Sequence, residues 1–146
     1  MSWAYTHRET VRFGDLDAMR HLNNVVFLRY FETARINFMN GILEHHDPVN
    51  PVSSSRPRKL GQVDDVTGFG FIFASCQIDY RAPAHFDEDV AIRVRPGEIG
   101  TKSVRLEFDM HVGERLVAEG HGVLVGYDYG EQRTMPIPDA LKERLR

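Results

Sequence analysis

The residue types best suited to chemistry lie close together near the start of the chain, in the stretch GDLDAMRHLNN. Two aspartates, Asp15 and Asp17, are separated by one residue. They are followed by His21 and by the pair Asn23 and Asn24. If a helix begins at the asparagines, its first backbone N–H groups lack intrahelical acceptors and carry the positive end of the helix dipole. Such groups can stabilise an oxyanion, while a nearby carboxylate acts as nucleophile or general base, which is sufficient for acyl transfer.

The same residues have simpler explanations. Aspartates in a Gly-Asp loop ahead of a helix often form turns or cap the helix. A D-x-D pair also opens a calcium-binding EF-hand loop, but that loop needs Gly where this chain has Arg20 and Glu where it has Val26. We therefore exclude calcium and expect no metal site. Cys76, in an apolar strand-like segment, is expected to be a buried structural thiol.

A largely apolar segment from about Asn24 to Asn40 predicts the helix that must position these groups. Its aromatic and small residues recur at spacings of four, three and four, on one helix face: Phe27, Phe31, Ala34 and Phe38. Further apolar residues widen this face until it nearly encircles the helix, so burial on most sides is expected. Asn23 or Asn24 is the predicted cap, and Asn40-Gly41 is the predicted end.

Alternating apolar and polar residues predict the rest of the fold. The predicted strands cover residues 4–13, 67–81, 88–96, 102–112 and 115–128, and a short helix covers 138–145. Short turns between consecutive strands make them antiparallel. The expected fold is α+β, with one curved five-stranded antiparallel sheet wrapped around one long central helix. Because such a sheet has open edges, we expect a homodimer or homotetramer.

The length and composition of the chain exclude several classes of protein. The 146 residues fit a single domain, residues 1–146, in which the Pro- and Ser-rich residues 47–66 form a long loop or mobile segment. A net charge of −3 argues against nucleic-acid binding. The longest apolar run is far shorter than the roughly 20 residues of a membrane span, and the first ten residues contain no signal-peptide segment. With one cysteine, a cytoplasmic protein is expected.

The stretch FGDLDAMRHLNNVVFLRYFETAR resembles the signature of the 4-hydroxybenzoyl-CoA-thioesterase-like branch of the hotdog-fold acyl-CoA thioesterases. The later segments IDYRAPAHFDEDVAIRVRPGEIGTKSVRLEFDM, AEGHGVLVGYD and MPIPDALKERL resemble that family's sheet and tail, so the likeness covers most of the chain. The resemblance implies hydrolysis of an acyl-CoA to free acid and CoA, without a cofactor. It also implies dimers with an active site at each subunit interface.

The resemblance assigns roles to the residues of the loop. Asp17 corresponds to the family's catalytic carboxylate, which either attacks the thioester carbonyl or activates water. The backbone N–H of Asn24 corresponds to the oxyanion donor. His21 and Asn23 lie within the matching loop and are expected to orient water or the acyl group.

A CoA-binding segment is implied in the same way, and consists of Gly100, Thr101, Lys102, Ser103 and Arg105. The cationic side chains of Lys102 and Arg105 suit the phosphates of CoA. They equally suit a solvated outer face of a strand.

The chain departs from the family pattern at Arg20, where a small residue, often Gly, is expected. A non-hydrolytic acyl-CoA or acyl-carrier binding protein on the same fold is therefore an alternative, because fold alone does not guarantee activity. A hydratase or dehydratase using Asp17 and His21 is a third hypothesis. Glu32 is the residue type that another hotdog branch uses on the helix, but Arg29 and Arg35 at three-residue spacing predict a paired structural role.

Overall fold

The computed structural model of the chain describes residues 2–46 and 69–146. Two helices and six strands follow one another in the order β1 (Tyr5–Thr10), α1 (Asn24–His46), β2 (Phe69–Tyr80), β3 (Asp89–Ile99), β4 (Ser103–Val112), β5 (Arg115–Asp128), β6 (Arg133–Thr134) and α2 (Asp139–Leu145). A single 3-10 turn, Phe13–Asp15, lies between β1 and α1. No helix within these described ranges is long and apolar enough to cross a bilayer.

The strands form one sheet in the order β1-β3-β4-β5-β2, and the two-residue β6 pairs with β5. β1 runs antiparallel to β3, in a register from Tyr5 opposite Val94 to Thr10 opposite Asp89. The edges of the main five-stranded path are β1 and β2. The predicted α+β fold, a curved antiparallel sheet with one long helix, is confirmed. β6 was not predicted from the sequence.

Two compact units make up the described chain, and α1 and β2 to β5 each contribute residues to both. The first consists of the described parts of residues 1–35, 76–95 and 107–121. Alternate residues of its two central strands are fully buried, as their period of two predicts: Val90, Ile92, Val94, Phe108 and Met110. Phe31 of α1 stacks on Phe108 with ring centroids 4.0 Å apart. Each such side chain contributes about 1.5–3 kcal/mol when it leaves water.

The second unit consists of the described parts of residues 36–75, 96–106 and 122–146. Its core contains Val104 and Leu106 of β4 and Leu124 of β5, together with Leu141 of α2. The phenol of Tyr129 donates a hydrogen bond to the Phe71 carbonyl at 3.1 Å. The alternation predicted for β4 holds for Val104, Leu106, Phe108 and Met110, but Asp109, expected on the polar side, is buried as well. The predicted short C-terminal helix is confirmed.

Three expectations are wrong. α1 continues through the predicted stop at Asn40-Gly41 to His46, because a glycine inside a helix costs only about 1 kcal/mol and does not force an end. The expected burial of the helix on most sides fails in the first turn of α1, where the Val25 side chain is 63% exposed. Cys76 is exposed rather than buried, because β2 is an edge strand with no described strand on its outer side. The predicted loop over residues 47–66 lies outside the described residues.

Candidate active site

The loop between β1 and α1 is closed by hydrogen bonds across its base. The backbone N–H of Asn23 donates to the Asp15 carbonyl at 2.9 Å, and Leu16 pairs with Leu22 in an isolated antiparallel bridge. Closer to the tip, the Asp17 N–H donates to the His21 carbonyl at 2.9 Å. The stretch predicted to be a polar loop is therefore a narrow, hairpin-like turn that presents Asp17 near its tip.

The Asp17 carboxylate is held through one of its two oxygens. Oδ1 accepts the backbone N–H of Met19 at 2.8 Å and that of His21 at 3.2 Å. Within the described parts of the chain, Oδ2 accepts no hydrogen bond. One oxygen thus fixes the orientation of the group, while the other is left for a substrate or a water molecule. This is the arrangement that a nucleophile or a general base requires.

The turn reaches its sharpest point at Arg20, whose backbone N–H donates to the Asp17 carbonyl at 3.0 Å. Arg20 has a φ of 62°, in the left-handed region where a side chain costs about 1–2 kcal/mol and glycine costs none. The glycine expected from the family pattern therefore has a conformational reason. This chain adopts the left-handed conformation with an arginine, whose side chain is exposed and places a cation there.

The start of α1 follows this turn directly and supplies a backbone N–H donor. The Asn23 side chain caps the helix, because its Oδ1 accepts the Val25 N–H at 3.0 Å. Its carbonyl accepts the Val26 N–H at 2.8 Å. Among residues 2–46 and 69–146, the Asn24 N–H has no acceptor. The phenol of Tyr80 donates to the Asn24 carbonyl at 3.0 Å and so holds the first helical residue on β2.

Asp15, the other aspartate of the pair, has a structural partner. Its Oδ2 accepts the phenol of Tyr30 at 2.8 Å and the Arg12 N–H at 3.1 Å. Tyr30 is only 4% exposed, and burial together with the Asp15 carboxylate raises the pKa of its hydroxyl well above the ordinary range. Sequence reasoning missed Tyr30. The signal that could have found it is a tyrosine on an otherwise apolar helix face, since a buried phenol needs a polar partner.

A second loop, residues 81–88, packs against the first. The Leu22 N–H donates to the Ala84 carbonyl at 2.7 Å, and the rings of His21 and His85 meet edge to face at 5.3 Å. Phe13 and Phe86 form another edge-to-face pair at 6.3 Å and are 80% and 56% exposed. These contacts were not predicted from the sequence. They place aromatic rings on both loops where the loops pack together.

Glu88 anchors that second loop. Its carboxylate accepts the His85 backbone N–H and two hydrogen bonds from Arg115, each at 2.6 Å. The hydrogen bonds from Arg115, and after them those from His85, hold the pKa of Glu88 below its ordinary value. This anchor was likewise not predicted.

The segment expected to bind CoA is the turn between β3 and β4, and its backbone is engaged within the second unit. The Gly100 N–H donates to the Ser103 carbonyl at 2.8 Å, while the Thr101 and Lys102 carbonyls accept hydrogen bonds at 2.9 and 2.7 Å. The Lys102 ammonium lies 3.3 Å from the Thr134 hydroxyl. Both Lys102 and Arg105 have exposed side chains. Asp17, His21, Asn23 and Asn24 belong to the first unit instead.

Glu32 pairs with Arg35 at 3.9 Å, which agrees with the structural role expected for it. Within the described ranges, no three His, Cys, Asp or Glu side chains group closely enough to hold a metal ion.

Comparison with known proteins shows the family and the fold of the chain. The family model for the thioesterase-like superfamily matches residues 11–145. A thioesterase from Thermus thermophilus, solved with coenzyme A and zinc, is 32% identical; the match covers 97% of this chain and 90% of that one, with a TM-score of 0.74. A 1,4-dihydroxy-2-naphthoyl-CoA thioesterase from Synechocystis is 17% identical over 97% of this chain and 94% of its own, with a TM-score of 0.71, and shows the shared fold.

A sequence relative from Bacillus subtilis (strain 168), the uncharacterized protein YsmA, is 26% identical in an alignment 148 positions long that covers 99% of this chain and 86% of that protein. The resemblance to the 4-hydroxybenzoyl-CoA-thioesterase-like branch is confirmed. The chain therefore belongs to the thioesterase-like superfamily, a family of thioester hydrolases built on the hotdog fold.

Proposed function

We propose that this protein hydrolyses acyl-CoA thioesters, with Asp17 as the reacting carboxylate and the Asn24 N–H as the oxyanion donor. The observation that carries the proposal is the junction of turn and helix. There, as far as the described residues go, a carboxylate with one unengaged oxygen and a helix-start N–H without an acceptor occur together. CoA is the proposed carrier because the 32% identical relative was solved with it.

In this mechanism Asp17 either attacks the thioester carbon or removes a proton from a water molecule that attacks it. Negative charge develops on the carbonyl oxygen, where the Asn24 N–H and the positive end of the helix dipole stabilise it. The thiolate of CoA leaves and takes up a proton, and water supplies the oxygen of the acid product. Asn23 contributes as the helix cap and His21 through its backbone, which bonds Asp17 twice.

The test is hydrolysis of a panel of short, long and aromatic acyl-CoAs by the wild type and by Asp17→Asn. Release of free CoA is followed with a thiol reagent, with a protein blank because Cys76 is exposed. We expect turnover to fall at least about 10²–10³-fold in the variant, as for loss of an oxyanion donor. Asp89→Asn is the matched control, since it removes the same charge from an exposed pair with Arg8.

Turnover by Asp17→Asn close to the wild-type rate would overturn the role of Asp17. Tight acyl-CoA binding without turnover by the wild type would instead support the alternative, a non-hydrolytic acyl-CoA or acyl-carrier binding protein.

The turn from Gly100 to Ser103, with Lys102 and Arg105, is the proposed contact for the phosphates of CoA. Lys102→Ala should raise KM for an acyl-CoA about threefold to tenfold, because an exposed cation contributes modestly to anion binding. The same variant should leave KM unchanged for the matching acyl-pantetheine, which lacks phosphates. Arg144→Ala, which removes an exposed cation from α2, is the control. An equal KM change for both substrates would contradict the assignment.

We further propose that the enzyme works as a homodimer or homotetramer in which β2 pairs with a second copy. Six consecutive residues of this edge strand, 72–77, are exposed, including Ile72 and Phe73 at 37% and 39%. An exposed strand edge with apolar side chains favours pairing with another strand. Its far end carries Tyr80, which bonds Asn24, so a second copy on β2 would lie beside the proposed site.

Phe73→Arg tests this assembly, because a charge at an exposed edge position opposes pairing while leaving the core untouched. The molar mass from light scattering should be that of a dimer or tetramer for the wild type and smaller for the variant. Thr6→Arg, on the opposite edge strand β1, should keep the wild-type mass. A monomeric wild type, or a variant with unchanged mass, would contradict the proposal.

A further inference from the structure

We propose that Tyr30 is a positioning residue for hydrolysis: its hydroxyl, through Asp15, holds the turn that carries Asp17. The inference rests on the proposed function and adds to it a residue that never touches the substrate. Tyr30 lies on α1, well after the helix start, yet its phenol donates to Asp15 Oδ2 at 2.8 Å.

The hydrogen bond is of the strong kind. A hydrogen bond from a hydroxyl to a carboxylate is about twice as strong as one between neutral groups. Because Tyr30 is only 4% exposed, water competes little for this hydrogen bond. Burial, and next to it the Asp15 carboxylate, raises the pKa of Tyr30, so the hydroxyl keeps its proton at every working pH. Tyr30 is therefore a permanent donor.

The contact reaches Asp17 through the closed base of the turn. The Asp15 carbonyl accepts the Asn23 N–H at 2.9 Å, and Asn23 in turn caps α1. Tyr30 ties the Asp15 side of the turn to α1, while Asn23 ties the other side to the same helix. With both sides fixed to α1, Asp17 is held relative to the Asn24 N–H at the helix start. A displacement of about 1 Å between reacting groups can cost about 10²-fold in rate, so this attachment bears on catalysis.

The alternative is that Tyr30 only adds stability, and Tyr129 provides the comparison. Its phenol also makes one hydrogen bond, to the Phe71 carbonyl at 3.1 Å, within the second unit. Tyr30→Phe and Tyr129→Phe each delete one phenolic hydroxyl. Both should lower the melting temperature by a few degrees, since each variant loses one hydrogen bond.

Two readouts separate positioning from stability alone. For Tyr30→Phe we expect kcat to fall about tenfold with KM nearly unchanged, and amide hydrogen exchange in residues 15–23 to accelerate about tenfold. Tyr129→Phe should change neither. Because Tyr30 acts through Asp15, the double variant Tyr30→Phe/Asp15→Ala should lose no more activity than Asp15→Ala alone.

Unchanged exchange of the turn in Tyr30→Phe overturns the inference, and so does an unchanged kcat. If the activity losses of Tyr30→Phe and Asp15→Ala multiply in the double variant, Tyr30 does not act through Asp15. If the wild type turns over no acyl-CoA, the proposed function fails. The exchange comparison then still decides whether Tyr30 holds the turn, so the two failures are distinguishable.

Discussion

Glu88 is the side chain whose neutralisation should show most directly how the second loop of the site is held. Its carboxylate accepts the His85 backbone N–H at 2.6 Å, and Arg115 bonds both of its oxygens at 2.6 Å. Its own carbonyl accepts the Val11 N–H at 2.9 Å. One residue thereby connects the loop with the start of β5 and the end of β1, and we predict that Glu88→Gln destabilises the protein in a pH-dependent way.

The size of the effect follows from these contacts. A hydrogen bond to a charged group contributes about 1.5–3 kcal/mol, whereas a solvent-exposed ion pair contributes about 0–1 kcal/mol. The side chains of Glu88 and Arg115 are 24% and 41% exposed, so screening by solvent places their hydrogen bonds near the lower end of the first of these two ranges. Because Gln keeps one neutral acceptor, we expect the free energy of unfolding to fall by about 1.5–2 kcal/mol. For a domain of this size, the melting temperature should fall by about 3–8 °C.

The sign of the pH dependence is set by the lowered pKa of Glu88, whose main cause is hydrogen bonding from Arg115. Since the pKa is lower in the folded chain, the unfolded chain takes up the proton first as the pH falls. The stabilisation is therefore complete above the ordinary glutamate pKa of about 4.3 and is lost as the pH falls through the folded value. The difference between wild type and variant should be full at pH 7 and should shrink below about pH 4.

The assay is thermal unfolding followed by circular dichroism between pH 3 and pH 8. Glu98→Gln is the matched control, because it removes the same charge from an exposed position on β3. The control should differ from the wild type by less than about 0.5 kcal/mol at any pH. A deficit of Glu88→Gln that stays constant down to pH 3, or is absent at pH 7, would refute the reasoning.

Three further predictions concern backbone geometry. Arg20→Gly should raise the free energy of unfolding by about 0.5–1 kcal/mol, since it relieves a φ of 62° at some entropic cost; a lower melting temperature would contradict this. Gly120→Ala should destabilise by about 3 kcal/mol or more, because its Cβ would lie 2.0 Å from the Gln77 carbonyl oxygen on the neighbouring strand. Gly41→Ala, inside α1, should instead stabilise by about 0.5–1 kcal/mol. Chemical denaturation measures both variants, and a stable Gly120→Ala or a destabilised Gly41→Ala would contradict the respective prediction.

The parts of the fold that follow from local periodicity could be predicted from the sequence. Burial of Val90, Ile92 and Val94 repeats every two residues, and the cap at Asn23 precedes a continuous apolar helix. Each of these two patterns can be recognised within a few consecutive residues. The end of α1 was not predictable in the same way, because a single glycine such as Gly41 permits a helix to end without requiring it.

The parts that depend on topology could not be predicted. The partners Asp15 and Tyr30 are 15 residues apart and Glu88 and Arg115 are 27 apart, so no sequence pattern links them. The exposure of Cys76 depends on β2 being the edge strand, which the alternation of its side chains does not reveal. Residue types could suggest the reactive group, but only the folded chain shows how that group is held.

The two aspartates of the turn differ in function because their partners differ. Asp15 accepts a buried phenol and the Arg12 N–H that caps the 3-10 turn, so its carboxylate is part of the scaffold. Within residues 2–46 and 69–146, Asp17 accepts only backbone N–H groups from its own turn, and those bonds occupy a single oxygen. A carboxylate shared with a buried tyrosine cannot attack without breaking the structure that positions it, whereas Asp17 can react and keep both of its bonds. This difference between the partners of the two aspartates, and not the presence of a carboxylate as such, is what supports the proposal that Asp17 is the reacting group.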